Sequence, residues 1–164
     1  MISKIDTLVG EFLDQKKIAV VGVSDRRETG CNSNFRNFKA AGYTVYPVNP
    51  RIQEFEGDRS YPDLASLPEK PDGVFILASP RVTEDVVRQC IELDIQHVWM
   101  HCILGTKPGI GASMTSVSPA AVEMCAKNGI RLIPGSCPNQ FLNPDLGHAV
   151  MRRLWRAFGF LKVA

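Results

Sequence analysis

Two arginines follow a glycine-containing turn near the start of the chain and could bind a phosphate group. The turn reads Gly-Val-Ser-Asp-Arg-Arg over residues 22–27 and comes directly after an apolar run. Glycine lets the backbone approach a phosphate closely, and guanidinium groups donate paired hydrogen bonds that match phosphate oxygens. An ordinary turn with two solvated arginines is the alternative. The predicted anion site consists of Gly22, Val23, Ser24, Arg26 and Arg27.

Arg51 is a second candidate phosphate ligand, and it follows Asn49 and Pro50 at the end of the next apolar run. A dinucleotide-binding protein would show Gly-x-Gly-x-x-Gly in its first turn and an acidic residue here to hold the ribose. Neither feature is present. An arginine suits an additional phosphate, such as that of NADP or the 3′-phosphate of CoA. A surface arginine without a ligand stays the alternative.

Apolar runs alternate with helical repeats along the chain and predict the elements that position these residues. Continuous apolar runs are typical of strands in parallel sheets, and the alternation predicts helices on both faces of one sheet. We therefore predict an α/β, Rossmann-like three-layer fold with a five-stranded parallel sheet in the order 3-2-1-4-5. Residues 1–164 form a single domain in this interpretation. The predicted strands are residues 17–23, 43–48, 73–78, 96–100 and 130–133.

The predicted sheet has a ligand-binding end. Ligands bind beyond the carboxyl ends of parallel strands, where the strand order reverses. The predicted order puts this point between the first and fourth strands, so Ser79, Pro80 and residues 99–102 are expected beside the arginine-containing turn. The segment 104–116 follows at the same end and is longer than most connections. We expect it to become more protected from hydrogen exchange when a ligand binds.

The last predicted helix follows Pro144 and is amphipathic. Its apolar residues recur at the spacing of one helix face. Such a stripe is more often buried in a core than exposed for a partner, so we expect it to face the core. A homodimer through Trp155 and Phe158 stays open. The stripe consists of Leu146, Val150, Leu154 and Phe158.

Four segments of the chain resemble the stand-alone CoA-binding proteins. They read KIAVVGVSDRRE, GYTVYPVNPR, PDGVFILASPRVTEDVV and IQHVWMH, and they occur in this order. The fold of that family is similar to the CoA-binding domain of the succinyl-CoA synthetase alpha subunit. The resemblance covers roughly residues 5–150, and each segment ends at the carboxyl end of a predicted strand.

The resemblance implies a role for each group of residues at the strand ends. The first turn would hold the pyrophosphate region, and the second strand end would face the adenosine and its 3′-phosphate. The third strand end would flank the ligand, and the fourth would line the pantetheine side. In that order, the implied residues are Gly22, Ser24, Arg26 and Arg27; Asn49, Pro50 and Arg51; Ala78, Ser79 and Pro80; and Trp99, Met100 and His101.

The chain departs from the family near the expected thiol end of the ligand. The family commonly has a polar amide where His101 stands. Its last strand often leads into Asp-Arg-Cys, where this chain has Gly135-Ser136-Cys137. The resemblance therefore does not imply which acyl group this chain would prefer.

No group of residues in the sequence completes a catalytic or metal-binding pattern. His97, Trp99 and His101 share one strand face, but a metal site needs a third and preferably a fourth ligand. Cys102 and Cys137 could approach the pocket, but a nucleophilic cysteine needs a base and a lowered pKa. We predict no catalytic and no metal-binding residue. Whether the protein is an enzyme stays open, with binding favoured over catalysis.

Composition narrows the partners and the compartment. A net charge of +2 is too small for a nucleic-acid-binding protein, and no apolar run is long enough to span a membrane. Five cysteines without Cys-x-x-Cys spacing fit a reducing, cytoplasmic setting. We predict a cytoplasmic protein that binds CoA or a short acyl-CoA as a non-catalytic carrier or regulatory protein. An NADP-binding oxidoreductase module and a non-catalytic subunit of an acyl-CoA ligase are the alternatives.

Overall fold

The computed structural model describes residues 3–106 and 115–163. It has one parallel five-stranded sheet, and the α/β class with helices on both faces is confirmed. The sheet strands are β1 (Lys17–Val21), β2 (Thr44–Val48), β5 (Gly73–Ile76), β6 (His97–Met100) and β7 (Arg131–Pro134). A small hairpin consists of β3 (Glu54–Phe55) and β4 (Asp58–Arg59). The helices are α1 (Lys4–Leu13), α2 (Gly30–Ala40), α3 (Pro80–Glu92), α4 (Pro119–Lys127) and α5 (Leu146–Ala157).

The strand order is β2-β1-β5-β6-β7, so the predicted order 3-2-1-4-5 was wrong. The third strand of the sheet, β5, pairs with β1 and does not lie outside β2. Pro47 explains why β2 is an edge strand. Its carbonyl faces outward and accepts the Tyr61 amide at 3.0 Å, so its nitrogen, which has no hydrogen to donate, faces the same way. Proline is confined to such edges because it cannot complete a hydrogen-bond ladder.

Each face of the sheet buries its own apolar layer. Helices α1 and α2 cover one face, where Phe12 and Phe38 pack on Phe75 and Trp99. Helices α3 and α4 cover the other face, where their buried residues pack against side chains such as Met100. Because side chains alternate along a strand, Trp99 and Met100 enter opposite layers. Burial on both faces is the physical reason that the strands read as continuous apolar runs.

The apolar stripe on helix α5 was expected to face the core, and this expectation was wrong. Leu146 is 83% exposed and Phe158 is 68% exposed, and Val150 and Leu154 are also exposed. The opposite face contacts the protein: the Trp155 indole N–H donates to the Ile103 carbonyl at 2.8 Å. Periodicity identified the residues that share a face, but both faces carry large apolar side chains, and the tertiary structure decided which one packs.

Residues 107–114 of the segment predicted to respond to ligand lie outside the described residues. None of the described helices combines the length and apolarity needed to cross a bilayer. That residues 1–164 form a single domain stays a prediction.

Gly22 should be among the least replaceable glycines of the chain. Its φ is +111°, and a Cβ there would overlap the Leu77 carbonyl oxygen, whereas Gly42 has φ +89° and open space around it. We expect Gly42→Ala to lower the free energy of unfolding by about 1–2 kcal/mol, through backbone strain alone. Gly22→Ala should cost about 2–3 kcal/mol more because of the added overlap. Urea denaturation of both variants measures the difference, and equal costs would contradict the close approach of Gly22 and Leu77.

Candidate functional site

A crevice opens where the chain leaves the neighbouring strands β1 and β5. The helix after β1 packs on one face of the sheet and the helix after β5 packs on the other, so the two connections diverge. Ligands bind at this kind of switch point in open α/β sheets. The expected position between the first and fourth strands was therefore wrong, because it followed from the wrong strand order.

The turn between β1 and α2 is held by one buried amide, Asn32. Its Oδ1 accepts from the Ser24 backbone N–H at 2.9 Å, and its Nδ2 donates to the Ser24 carbonyl at 2.8 Å. The same side chain bonds the Thr29 hydroxyl and the Arg27 carbonyl. Four hydrogen bonds to one side chain fix the path of residues 24–29. The turn is therefore shaped before any ligand arrives.

The first turn of α2 contributes a ready-made anion site beside this loop. Thr29 is the N-cap, and its side chain accepts from the Asn32 backbone N–H at 3.2 Å. The remaining amides of the first helical turn carry partial positive charge, which favours an anion. Gly30, Ser33 and Asn34 from this helix line the crevice.

The largest part of the crevice is a cleft of about 780 Å³, which we call the main cleft. Five predicted site residues line it, namely Arg27, Ala78, Ser79, Pro80 and His101. Eleven further residues line the main cleft and were not among the predicted binding residues, although Cys137 and the segment containing Thr115 and Ser116 were expected near it. They are Gly30, Ser33, Asn34, Leu77, Ile103, Thr115, Ser116, Cys137, Asn139, His148 and Met151.

A smaller hollow of about 390 Å³ adjoins the main cleft, and Arg27 lines both. Ser24 and Arg26 also line this arginine hollow. Arg36 at its rim is held by the Glu28 carboxylate, at 2.9 and 2.8 Å, and also by Glu56. Within residues 3–106 and 115–163, the exposed Arg26 and Arg27 guanidinium groups have no carboxylate partner. Four carboxylates also line the hollow, and Arg36 pairs with two of them; the four are Asp25, Glu28, Glu54 and Glu56. The two arginines without an ion pair are the groups that could bind a phosphate.

The end of β2 lies beside the turn but outside the main cleft. Asn49 joins the two strand ends, because its Nδ2 donates to the Val23 carbonyl at 2.7 Å and its Oδ1 accepts from the Arg51 amide at 2.9 Å. Pro50 lines a separate hollow of about 850 Å³ next to the hairpin. Arg51 is exposed. Asn49 therefore holds the two strand ends together, and the Arg51 side chain has no partner among residues 3–106 and 115–163.

Three other predicted site residues lie in the core. Val23, Trp99 and Met100 have no exposed surface. The indole N–H of Trp99 also donates a hydrogen bond to the Gly135 carbonyl, at 2.9 Å. Their side chains therefore do not reach a ligand in this structure, and only the backbone of Val23 lies at the turn. The fourth strand contributes His101 alone to the main cleft.

The titratable residues of the main cleft differ sharply in their surroundings. Burial lowers the pKa of His101 to about 4, so this ring is neutral at pH 7. Burial raises the pKa of the Cys137 thiol, which contacts Asn34 at 3.5 Å. The described residues contain no cluster of histidine, cysteine and carboxylate side chains that could hold a metal ion. All five cysteines are unpaired and buried.

Some of the additional cleft residues have a weak signal in the sequence, and others have none. Thr29 followed by a helical repeat marks an N-cap, and the cleft residues of α2 lie within the next five positions. By contrast, His148 and Met151 belong to α5, more than a hundred residues away from the first turn. Only the tertiary structure brings that helix to the cleft.

Comparison with known proteins agrees with the resemblance seen in the four segments. The family described as "CoA binding domain" matches residues 16–140. The chain is 31% identical over 122 residues to the Bacillus subtilis protein YneT and covers 82% of it. It is 25% identical over 122 residues to an ADP-forming acetate–CoA ligase of Archaeoglobus fulgidus. The chain spans less than a third of the length of the first ligase relatives, at 18% and 27%.

Solved structures support the fold. A protein from Pyrococcus horikoshii superposes with a TM-score of 0.72 at 24% identity, over 85% of this chain and 92% of that one. A dinucleotide-forming acetyl-coenzyme A synthetase of Korarchaeum cryptofilum gives a TM-score of 0.57 at 24% identity, over 71% of this chain and 25% of that one. At these identities the likeness concerns the fold alone.

Removing the Asn32 amide should loosen the turn that carries the two arginines. Asn32→Ala leaves buried partners without hydrogen bonds, so we expect a loss of about 2–4 kcal/mol in the free energy of unfolding. Asn128 is the matched control, because it is exposed and its amide makes one bond, to the Met124 carbonyl. Asn128→Ala should cost less than about 1 kcal/mol. Urea denaturation gives both values, and a mild effect of Asn32→Ala would show that the turn holds its shape without this side chain.

Proposed function

Because the chain belongs to the CoA-binding domain family, we propose that it binds CoA or a short acyl-CoA as a non-catalytic carrier or regulatory protein. One observation carries the proposal beyond family membership. The main cleft and the arginine hollow meet at Arg27, so a long cleft adjoins a site with two unpaired positive charges. CoA has this form, with a phosphorylated nucleotide at one end and an uncharged arm at the other.

The ligand would lie along the crevice in one direction. Ser24, Arg26, Arg27 and the first amides of α2 would hold the pyrophosphate, because they combine backbone donors with unpaired guanidinium groups. The pantetheine arm would then follow the main cleft past residues 78–80 towards His101. The adenosine and its 3′-phosphate would face Asn49, Pro50 and Arg51.

The absence of catalysis is part of the proposal and has its own support. Cys137 is the cysteine that lines the main cleft, but burial raises the pKa of its thiol. Two histidines line the same cleft, His101 and His148. His101 is neutral because burial lowers the pKa of its ring to about 4, and no hydrogen bond joins either ring to Cys137 within residues 3–106 and 115–163. A cysteine nucleophile instead needs a lowered pKa. We expect no release of CoA from acetyl-CoA by the isolated protein.

Of the two alternatives, the ligase subunit has a specific observation in its favour. Two relatives of this chain are described as ADP-forming acetate–CoA ligases, and the matched region is a minor part of each. A non-catalytic subunit would bind CoA in the same crevice and would co-purify with a partner. The NADP-binding alternative is opposed by the absence of the glycine fingerprint from the turn at residues 22–27.

Three further expectations stay proposals. A reducing cytoplasm suits five buried, unpaired cysteines. The small net charge of +2 opposes a nucleic-acid partner. A homodimer is supported by the exposed stripe on α5, because its four apolar residues lie symmetrically about residue 152. An antiparallel pair of these helices would place Leu146 opposite Phe158, and light scattering of the purified protein would reveal it.

The ligand class can be tested by thermal stabilisation. A ligand raises the melting temperature of the state that it binds, so CoA should raise it more than NAD or NADP at equal concentration. Differential scanning fluorimetry compares the three ligands directly. A larger shift with NADP would displace CoA binding from the proposed function.

Arg51 should distinguish CoA from dephospho-CoA, which lacks the 3′-phosphate. A charged contact to phosphate contributes roughly 1.5–3 kcal/mol, which is about ten- to hundredfold in affinity. Arg51→Ala should weaken CoA by this factor and leave dephospho-CoA nearly unchanged. Calorimetry with both ligands on both proteins forms a double-difference cycle.

A matched control for this cycle is Arg131, which lies at the opposite end of the sheet and pairs with Glu11. Arg131→Ala should change neither affinity. If Arg51→Ala weakens both ligands equally, Arg51 does not contact the 3′-phosphate, and Arg26 or Arg27 takes its place as the candidate.

A further inference from the structure

A histidine–carboxylate pair lies at the wall of the main cleft that α5 provides. Asp145 is the N-cap of α5, and its Oδ1 accepts from the His148 backbone N–H at 2.8 Å. Its Oδ2 is 2.8 Å from the Nδ1 atom of the His148 ring. Hydrogen bonds from His148, first from the backbone and then from the ring, lower the pKa of Asp145. One carboxylate therefore caps the helix and orients the imidazole.

The orientation of the ring decides what it can do. The carboxylate oxygen accepts a hydrogen bond, so Nδ1 carries the hydrogen, and the neutral form of the ring has its lone pair on Nε2. His148 lines the main cleft, and Nε2 has no hydrogen-bond partner within the described ranges 3–106 and 115–163. This arrangement presents a proton acceptor to whatever occupies the cleft.

A ligand held at the arginine hollow would bring its arm into the cleft that His148 lines. The unpaired arginines that would hold the phosphates lie in the arginine hollow, which joins the main cleft at Arg27. A ligand held there extends its arm away from the arginine hollow and into the main cleft. His101, Cys137 and His148 also line the main cleft. The terminal thiol of CoA would lie among these three side chains.

We propose that His148 accepts the proton of the thiol of bound CoA and that Asp145 positions it for this transfer. The inference rests on the proposed binding of CoA. The S–H bond of the ligand breaks, the electron pair stays on sulfur, and a new N–H bond forms at Nε2 of His148. The imidazolium that results is stabilised by the Asp145 carboxylate. The protein then holds its ligand as a thiolate, which is the nucleophilic form of a thiol.

The other titratable groups of the main cleft are poorer acceptors. Burial lowers the pKa of His101 to about 4, so its ring takes up a proton reluctantly. Burial raises the pKa of Cys137, and the nearby Asp145 charge opposes ionisation of this thiol as well. Arg27 is a permanent cation and cannot accept a proton. The one imidazole backed by a carboxylate is therefore the group suited to the transfer.

The pH dependence of thiol alkylation tests the proposal. Iodoacetamide reacts with thiolates, so its rate with protein-bound CoA is measured across pH. The alkylated CoA is quantified by mass spectrometry, which keeps the cysteines of the protein out of the signal. The midpoint of the pH profile is compared between proteins, because it does not depend on how accessible the thiol is. We expect the midpoint to be about one pH unit lower in the wild type than in His148→Gln.

Two further variants separate chemistry from structure. Asp145→Asn keeps a good N-cap for α5 but removes the charge, so it should also raise the midpoint. His97 is the matched control, because it lies at the start of β6, outside the main cleft, near Gln15. His97→Gln should leave the midpoint unchanged. Coincident midpoints in the wild type and His148→Gln, with CoA bound to both by calorimetry, would overturn the inference. Absence of CoA binding to the wild type would instead overturn the proposed function.

Discussion

The close approach of β1 and β5 at their carboxyl ends is the constraint on which the rest of the structure depends. Gly22 lies against the backbone of Leu77 with a left-handed φ that side chains rarely adopt. The two strands therefore stay hydrogen bonded up to the point where their following helices diverge to opposite faces. The crevice opens at this point, and residues of both connections line it.

Of the three arginines that line the arginine hollow, only Arg36 is paired with carboxylates among the described residues. Arg36 is held between Glu28 and Glu56, which occupies both carboxylates. Exposed ion pairs contribute little to stability, so their effect here is on position. Arg26 and Arg27 form no ion pair within residues 3–106 and 115–163, although Asp25 and Glu54 also line the arginine hollow. The Asn32 amide holds the backbone of this turn. Loop shape and charge are thus set by different side chains.

Helix α5 completes the main cleft with few buried contacts. Trp155 attaches it to the Ile103 carbonyl, and Asp145 caps its first turn. None of its side chains is fully buried, yet His148 and Met151 form part of the cleft wall. Such a helix depends on a few specific bonds, and elements with few buried apolar contacts open most readily. His148 and Met151 therefore belong to one of the less firmly packed elements of the protein.

The sequence by itself determined the fold class, the strands and the turn with Arg26 and Arg27, because apolar periodicity and local turn chemistry are local properties. It also contained Pro47, whose missing N–H is typical of an edge strand. The predicted order 3-2-1-4-5 instead placed this strand between two others. Tertiary structure decided the strand order, the burial of Trp99 and Met100, and the joining of α5 to the cleft. Strand order and helix packing depend on which apolar surfaces contact each other. The sequence around an apolar surface does not indicate which other apolar surface it will contact.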